Sequence, residues 1–276
     1  MTRGRRRLEK TPPAEHAIGV FDSGIGGLTV VQQLIRLLPH EDIVYLGDTA
    51  RTPYGTKSPE TICRYAIENA AFLLDKGIKL LVVACNSVSA VALSNLEQEL
   101  PVPVVGVIAP GAQEAVRRTR NGKIGVIGTE ATIASGAYTR ALKSLNPDLE
   151  IYTRACPLFV PLAEEGWVNN EVARSAARRY LASLRRSGID TLVLGCTHYP
   201  LLAPVIHEIL GPGVSLVDSA GTTAQAVRRL LQRRQLLRRN GAGTMSFFVT
   251  DAPERFIKVG SLFLGQPVES AVRLER

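Results

Sequence analysis

The sequence predicts an α/β protein built as two pseudo-symmetric, doubly wound lobes, with an active site in the cleft between them. Residues 77–87 read G-I-K-L-L-V-V-A-C-N-S, and residues 188–198 repeat the pattern as G-I-D-T-L-V-L-G-C-T-H. Short apolar runs that are rich in Val and flanked by polar helical patterns are typical of buried parallel strands. Each copy reaches a cysteine where its strand ends, and open α/β sheets bind ligands at that edge. The repeat therefore predicts that each lobe contributes one thiol to a shared site.

The length and composition indicate a soluble protein with two units. A chain of 276 residues can form two domains that each bury a core. The hydrophobic content of 45% is ordinary, and no apolar run approaches the ~20 residues of a membrane helix. The basic residues Arg3 to Arg7 are followed by no apolar stretch, so neither a secretory signal nor a membrane partner is predicted.

The cysteines show no pattern typical of a metal site or a disulfide framework. The chain has four of them, with no CxxC pair and no zinc-like spacing to its four histidines; they are Cys63, Cys85, Cys156 and Cys196. Unpaired thiols are typical of a reducing compartment. The sequence therefore predicts a cytoplasmic protein with reduced thiols and no metal.

The net charge of +8 is concentrated in two segments. Residues 1–10 carry a net charge of +4, and residues 228–239 carry six arginines and no acid, which leaves the rest of the chain slightly acidic. A basic arm is typically a solvated segment, and we expect a disordered tail over 1–16. The alternating arginine and leucine pairs of 228–239 predict a helix with one docked face and one charged face. This distribution disfavours a nucleic-acid partner.

The first lobe is predicted to begin with a strand, a glycine-rich turn and a helix. Residues 17–22 read as a buried strand that ends at Asp22, and S-G-I-G-G over 23–27 leads into an amphipathic helix that ends near Leu38. Such a turn can present backbone N–H groups to an anion at the start of the helix. A role in packing alone, with no ligand, is the alternative.

The next predicted elements bring a loop and the first thiol to the same edge of the sheet. A strand over 43–47 leads into the loop 51–57, which is rich in turn formers and hydrogen-bonding groups and suits a substrate flap. A helix over 59–76 precedes the strand that leads to Cys85. A fourth strand is predicted over 104–108.

The second lobe is predicted to repeat this order. Its elements are strands over 123–129, 150–155 and 214–217, a helix over 170–186, and the strand that leads to Cys196. The chain then returns through the arginine-rich helix to a terminal strand over 245–250 and small closing elements over 256–263. We assign 17–109 plus 221–276 to the first lobe and 110–220 to the second.

Two opposed thiols favour proton transfer over the other reactions of cysteine. A single nucleophile would need only one thiol with a base, and a zinc site would need more ligands than His198 supplies. Two thiols on opposite faces of one carbon can remove and return a hydrogen, which inverts a stereocentre. Neutral donors near the strand ends would bind the substrate carboxylate; they are Ser23, Asn86, Ser87, Thr129 and Thr197. Asp22 and Glu164 would hold an ammonium group or adjust the thiols.

Six motifs resemble those of glutamate racemases, in the cofactor-independent aspartate/glutamate racemase superfamily. They are F-D-S-G-I-G-G-L-T-V (21–30), Y-L-G-D-T-A-R-T-P-Y-G (45–55), V-V-A-C-N-S (82–87), I-G-V-I-G-T (124–129), C-P-L-F-V-P-L-A-E-E-G (156–166) and G-C-T-H-Y-P-L-L (195–202). The resemblance covers residues 17–225. It departs from the usual pattern at Ser87, where the family generally has threonine.

The resemblance implies interconversion of L- and D-glutamate, which supplies the D-isomer for peptidoglycan. It implies that Cys85 deprotonates the D-isomer with help from Asp22, and that Cys196 deprotonates the L-isomer with help from His198. Glu164 would support the site. The substrate-binding residues would be Asp22, Ser23, Tyr54, Gly55, Asn86, Ser87, Thr129, Thr197 and His198.

Three other functions are compatible with the sequence. An aspartate racemase would share the paired thiols, although D-S-G-I-G-G and P-Y-G favour glutamate. A nucleic-acid-binding protein on an inactive racemase scaffold would explain the arginine-rich segments. A pyridoxal enzyme would need a lysine such as Lys57 at the site. The sequence leaves the oligomeric state open, with a homo-oligomer among the alternatives.

Overall fold

The computed structural model describes residues 13–275 and contains two fully parallel sheets. Within this range the strands are β1 (Ala17–Asp22), β2 (Ile43–Gly47), β3 (Ile78–Val83), β4 (Val104–Gly106), β5 (Lys123–Gly128), β6 (Glu150–Ala155), β7 (Thr191–Gly195), β8 (Ser215–Asp218), β9 (Met245–Val249) and β10 (Val272–Arg273). The first sheet has the order β10-β9-β2-β1-β3-β4 and the second β6-β5-β7-β8. Since every pairing is parallel, the carboxyl ends within each sheet share one edge.

Helices cover both faces of the sheets, as the doubly wound prediction requires. They are α1 (Leu28–Leu37), α2 (Pro59–Asp75), α3 (Asn86–Val91), α4 (Leu93–Glu99), α5 (Ile108–Arg118), α6 (Glu130–Ala134), α7 (Ala137–Leu145), α8 (Phe159–Glu164), α9 (Glu171–Arg186), α10 (Ala203–Leu210), α11 (Ser219–Arg233) and α12 (Pro253–Leu264). Short 3₁₀ turns lie at Tyr54–Thr56 and Tyr199–Leu202. The predicted two-lobed α/β fold is therefore confirmed.

Alternate residues of the central strands enter different cores. Ile18 and Val20 of β1 pack in one apolar cluster with Leu34 of α1. Phe21, their neighbour on the strand, packs in a second cluster with Ile62 of α2. Successive side chains of a strand point to opposite faces, so a strand covered on both faces reads as a continuous apolar run. This explains why the sequence shows no polar alternation here.

One apolar cluster continues from the first lobe into the second. It joins Val20 of β1 and Val227 of α11 to Val193 of β7, with Ala112 of α5 and Leu142 of α7. The chain passes between the lobes at α5 and again at α11, and these two helices contact each other. The lobes therefore share buried apolar surface, which stabilises their arrangement.

Several predicted boundaries are wrong, for local reasons. The fourth strand ends at Gly106 instead of residue 108, because α5 begins at Ile108. The arginine-rich helix ends at Arg233, and Gln235 adopts a left-handed conformation with φ of 58°. The helix does not continue beyond this turn, and Leu236, which directly follows it, is buried at 3% exposure. The region predicted as small closing elements over 256–263 forms the single helix α12.

The first sheet holds a buried ion pair near the amino end of β3. Lys79 of β3 is completely buried and its ammonium lies 2.5 Å from Glu41 Oε2. Its Nζ also donates to the Leu236 carbonyl at 2.9 Å and to the Ala14 carbonyl. Of the tail predicted over 1–16, residues 1–12 lie outside the described residues, and 13–16 lead into β1 through a turn. The ion pair thus ties this turn and the end of the arginine-rich segment to the sheet.

The strands of the first sheet fall within residues 17–106 and 245–273, and those of the second within 123–218. The finer lobe boundaries, 17–109 plus 221–276 and 110–220, stay a prediction. In the described part of the chain, no helix is long and apolar enough to cross a bilayer.

Candidate active site

Cys85 and Cys196 line the same cavity, each at the carboxyl end of a central strand. Cys85 is the N-cap residue of α3, two residues beyond β3, and Cys196 directly follows β7. Both are buried, at 5% and 6% exposure. The free space between the walls is about 20 Å³, which suits a single water.

Most of the sequence-predicted site residues lie on the cavity wall, and two do not. The wall is formed by Ser23, Thr52, Pro53, Tyr54, Gly55, Cys85, Asn86, Ser87, Thr129, Val160, Cys196, Thr197 and His198. Sequence reasoning missed Val160, and it included Thr52 and Pro53 only within the loop 51–57 predicted as a substrate flap. Asp22 and Glu164 lie outside this wall. Asp22 acts on Cys85 through its charge, and Glu164 shares a hydrogen bond with His198.

His198 connects Cys196 to Glu164. Its Nδ1 lies 3.8 Å from Cys196 Sγ, and its Nε2 lies 3.1 Å from Glu164 Oε1. Burial lowers the pKa of His198, but hydrogen bonds to Cys196 and Glu164 outweigh it and raise that pKa to about 10. Near neutral pH the ring is therefore a cation that holds a proton within reach of the Cys196 sulfur.

Glu164 is kept ionised by its neighbours. Burial alone would raise the pKa of this carboxyl, but the hydrogen bond and charge of His198, with a contribution from Arg255, lower it below its ordinary value. The side chain of Glu164 is 16% exposed. The predicted supporting residue thus faces the imidazole from the side opposite Cys196.

Cys85 has a different environment. Its Sγ lies 3.7 Å from Ser23 Oγ, and burial together with the charge of Asp22 raises the pKa of the thiol to about 12. The thiol is therefore protonated near neutral pH and can donate a proton. The two thiols differ in their partners although their strands are pseudo-equivalent.

Asp22 is completely buried beneath the glycine-rich turn. Its Oδ2 accepts a hydrogen bond of 3.1 Å from the Gly24 N–H, while Oδ1 has no protein partner among the described residues. Burial raises the pKa of Asp22, and the charge of His198 opposes that effect. Because this buried carboxylate oxygen has no hydrogen-bond partner among the described residues, the carboxylate is sensitive to the charge of neighbouring groups.

Asn86 is oriented to offer its amide nitrogen to a ligand. The Tyr138 hydroxyl donates to Asn86 Oδ1 at 2.7 Å. The buried Nδ2 has no protein acceptor in the described part of the chain, and the residue lines the cavity. A buried donor without a partner is costly unless a ligand or water accepts from it, so this group is a candidate for binding a carboxylate.

The Tyr54–Gly55 loop is fixed from behind. The Tyr54 hydroxyl donates to Asp48, a completely buried carboxylate that also accepts from Thr250 Oγ1 at 2.9 Å. The phenol hydroxyl is thus committed to Asp48, and the backbone of the loop faces the second lobe. A Cβ at Gly55 would lie 2.5 Å from the Thr129 Cβ, so only glycine fits this approach.

No group of three or more His, Cys, Asp or Glu side chains suited to a metal ion is found among residues 13–275. The protein is thus a two-lobed α/β protein whose lobes each bring a thiol, with its own polar partner, to one cavity. Comparison with known proteins identifies the family of this protein. Residues 18–227 match the Asp/Glu/Hydantoin racemase family, and the chain belongs to that family.

The relatives that resemble it strongly are glutamate racemases. The chain is 60% identical to the glutamate racemase of Geobacter metallireducens over 250 residues, which cover 90% of this chain and 93% of that one. The crystal structure of glutamate racemase isoform RacE1 from Bacillus anthracis superposes with a TM-score of 0.92 at 40% identity, covering 95% and 98% of the two chains. The Francisella tularensis enzyme in complex with D-glutamate gives 0.90 at 39% identity, with the same coverage.

Proposed function

We propose that this protein interconverts L- and D-glutamate by a two-base mechanism that uses Cys85 and Cys196 and no cofactor, and thereby supplies D-glutamate for peptidoglycan. The observation that carries the proposal is the shared cavity of the two thiols, one from each lobe. Its support is membership of a racemase family and the identity of 60% with a glutamate racemase. Reduced thiols suit a cytoplasmic location, which is part of the same proposal.

The L-to-D reaction begins with Cys196 as thiolate and Cys85 as thiol. Cys196 takes the α-proton of L-glutamate, the C–H electron pair stays on the α-carbon, and Cys85 donates its proton to the opposite face. The products are D-glutamate, a Cys196 thiol and a Cys85 thiolate, so atoms and charge balance. The D-to-L reaction starts from that form of the enzyme and runs through the same steps in reverse.

Each thiol has a partner that suits its part of the cycle. The His198 cation lies 3.8 Å from Cys196 and can stabilise its thiolate or exchange a proton with it. Ser23 lies 3.7 Å from Cys85 and Asp22 acts on it through charge, so the thiol form is favoured until substrate binds. The enzyme can thus begin with one protonated and one ionised sulfur.

The carbanion is the costly species, and the cavity offers neutral donors to stabilise it. The Asn86 amide has its Nδ2 free of protein acceptors among the described residues. Hydroxyl groups stand beside it on the wall; they are Ser23, Ser87, Thr129 and Thr197. Donors fixed before the reaction stabilise developing negative charge on the substrate carboxylate.

The decisive experiment follows α-hydrogen exchange in deuterated water from each glutamate enantiomer, without added cofactor. The unmodified protein should produce the opposite enantiomer with deuterium at the α-carbon. Cys85→Ser and Cys196→Ser should each lower kcat/KM by about 10²–10⁴-fold, since a serine hydroxyl is too weak an acid to replace the thiol. Because the enantiomers have equal free energies, the loss must be the same in both directions.

Cys156→Ser is the matched control. Cys156 is buried like the two proposed bases, yet it lies off the cavity wall, so its replacement should leave turnover near that of the unmodified protein. The proposal fails if the unmodified protein exchanges no α-hydrogen, or if either serine variant at positions 85 and 196 keeps full turnover.

A further inference from the structure

The helix α12 belongs to the first lobe but contacts His198 of the second. Its buried residue Phe256 packs in the apolar cluster that contains Val20 of β1. Farther along the helix, the Phe263 ring meets the His198 ring edge-on, with centroids 5.2 Å apart and an interplanar angle of 75°. The C-terminal helix therefore forms one side of the pocket that holds the imidazole.

The same helix reaches His198 a second time through Glu164. Arg255 Nη2 lies 3.4 Å from Glu164 Oε2, and the other oxygen of that carboxylate lies 3.1 Å from His198 Nε2. Arg255 Nη2 also lies 3.4 Å from Glu165 Oε1. The guanidinium thus bridges two carboxylates across the boundary between the lobes, and the chain of contacts ends at Cys196.

We propose that Arg255 is a positioning residue that fixes the Glu164 carboxylate from behind and so holds His198 in line with Cys196. The inference rests on the proposed racemase function, because it assigns Arg255 to one of the two bases of that reaction. Among residues 13–275, no hydrogen bond links Cys85 to α12, and the hydroxyl partner of Cys85 is Ser23 of the first lobe.

The exposure of the groups limits the size of the effect. The side chain of Arg255 is 56% exposed while that of Glu164 is only 16% exposed. Ion pairs with an exposed member contribute little, and loss of this one corresponds to about a twofold to fivefold decrease in kcat/KM. Both directions must lose the same factor, so the size of the loss alone cannot identify which base is affected.

The pH dependence supplies a signature that a merely structural role would not give. His198 lies on one side of Glu164 and Arg255 on the other, with the Glu165 carboxylate beside Arg255. Glu254 and Lys258 of α12 are the other charged residues that line the same groove. Removal of the Arg255 charge should raise the pKa of Glu164, since that charge lowers it. The acid limb of the kcat/KM profile should therefore move to higher pH by about 0.3–0.7 unit.

The experiment compares Arg255→Met, Arg255→Lys and Lys258→Met, after turnover of the unmodified protein has been measured. Lys258 is an exposed cation of the same helix and lines the same groove, but it makes no ion pair with Glu164 in the described part of the chain. Arg255→Met should shift the acid limb, Arg255→Lys should restore it in part, and Lys258→Met should leave it in place.

A double-mutant cycle with Glu164→Gln completes the test. If Arg255 acts through Glu164, Arg255→Met should cause no further loss in the Glu164→Gln background. Equal profiles for Arg255→Met and Lys258→Met, or an undiminished loss in that background, would overturn the role of Arg255 while leaving the racemase function intact. Absence of racemase activity in the unmodified protein would instead overturn both the proposed function and this inference.

Discussion

Ser87 of the first lobe and Thr129 of the second share a hydrogen bond of 2.9 Å between their hydroxyl oxygens. The Thr132 hydroxyl completes the cluster, 3.0 Å from Thr129 and 3.4 Å from Ser87. All three residues are buried, and Ser87 and Thr129 line the cavity between the thiols. A direct polar contact between the lobes therefore lies on the wall of the cavity that both thiols line. Serine at 87 keeps the hydroxyl that threonine supplies in the related motif.

Ser87→Ala should weaken both binding and folding. It removes the contact with Thr129 and leaves one fewer donor on the wall, so we expect a higher KM and a free energy of unfolding lower by about 0.5–1.5 kcal/mol. Steady-state kinetics and urea unfolding measure the two effects. Ser87→Thr retains the hydroxyl and should resemble the unmodified protein. Unchanged KM and stability in Ser87→Ala would show that the contact has no role.

Gly26→Ala should displace the groups beside Cys196. A Cβ at this position would lie 2.3 Å from Thr197 Oγ1 and 2.5 Å from His198 Nδ1, so these side chains or the turn must shift. Misplacement of reacting groups by about 1 Å can cost about 10²-fold in rate, and we expect a loss of that order in kcat. Gly24→Ala is the control in the same turn, because its Cβ would lie no closer than 3.2 Å from Thr52 Oγ1 and 3.6 Å from Thr52 Cβ. Equal activities of the two variants would contradict the prediction.

His198 should titrate near pH 10, and Glu164→Gln should lower that value. The pKa of His198 is raised from 6.5 to about 10, in part by its hydrogen bond to Glu164. Side-chain NMR can follow the ring directly because the chain has only four histidines. A titration of His198 near 6.5 in the unmodified protein would show that the hydrogen-bond network is not formed in solution.

The same shift predicts a direction for stability against pH. Because the pKa of His198 is higher in the folded state than in the unfolded state, its contribution is complete below pH 6.5 and is lost as pH rises toward 10. Unfolding free energies measured across this window should therefore decrease for the unmodified protein. Glu164→Gln should show a smaller decrease, and an equal decrease in both proteins would refute the link.

The sequence could predict the thiol site because it depends on strand ends. Cys85 and Cys196 follow apolar runs, and parallel strands align their carboxyl ends whatever the details of packing. The loops that carry Ser23 and Tyr54 also begin at strand ends, and they meet the same cavity. This part of the site needs only the order of elements.

Other parts of the site depend on contacts that leave no periodic signal. Val160 enters the cavity from α8, and Tyr138 reaches Asn86 from α7, in each case because the second lobe closes on the first. Arg255 and Phe263 lie outside the repeated segments 77–87 and 188–198, so the internal sequence repeat could not predict their roles. Lys79 lies within an apolar run, and a buried lysine needs an acidic partner, but nothing in the sequence pattern singles out Glu41.

The pairing of β2 with β9 has a consequence for synthesis of the chain. On a translating ribosome, the strands of the second sheet over 123–218 emerge complete while the partner of β2 has not yet been made. A nascent chain that stalls before residue 245 would expose the β2 edge, which is a template for aggregation, and would lack the helix that flanks His198. Completion of the pocket around His198 therefore waits until residues 245–264 have left the exit tunnel.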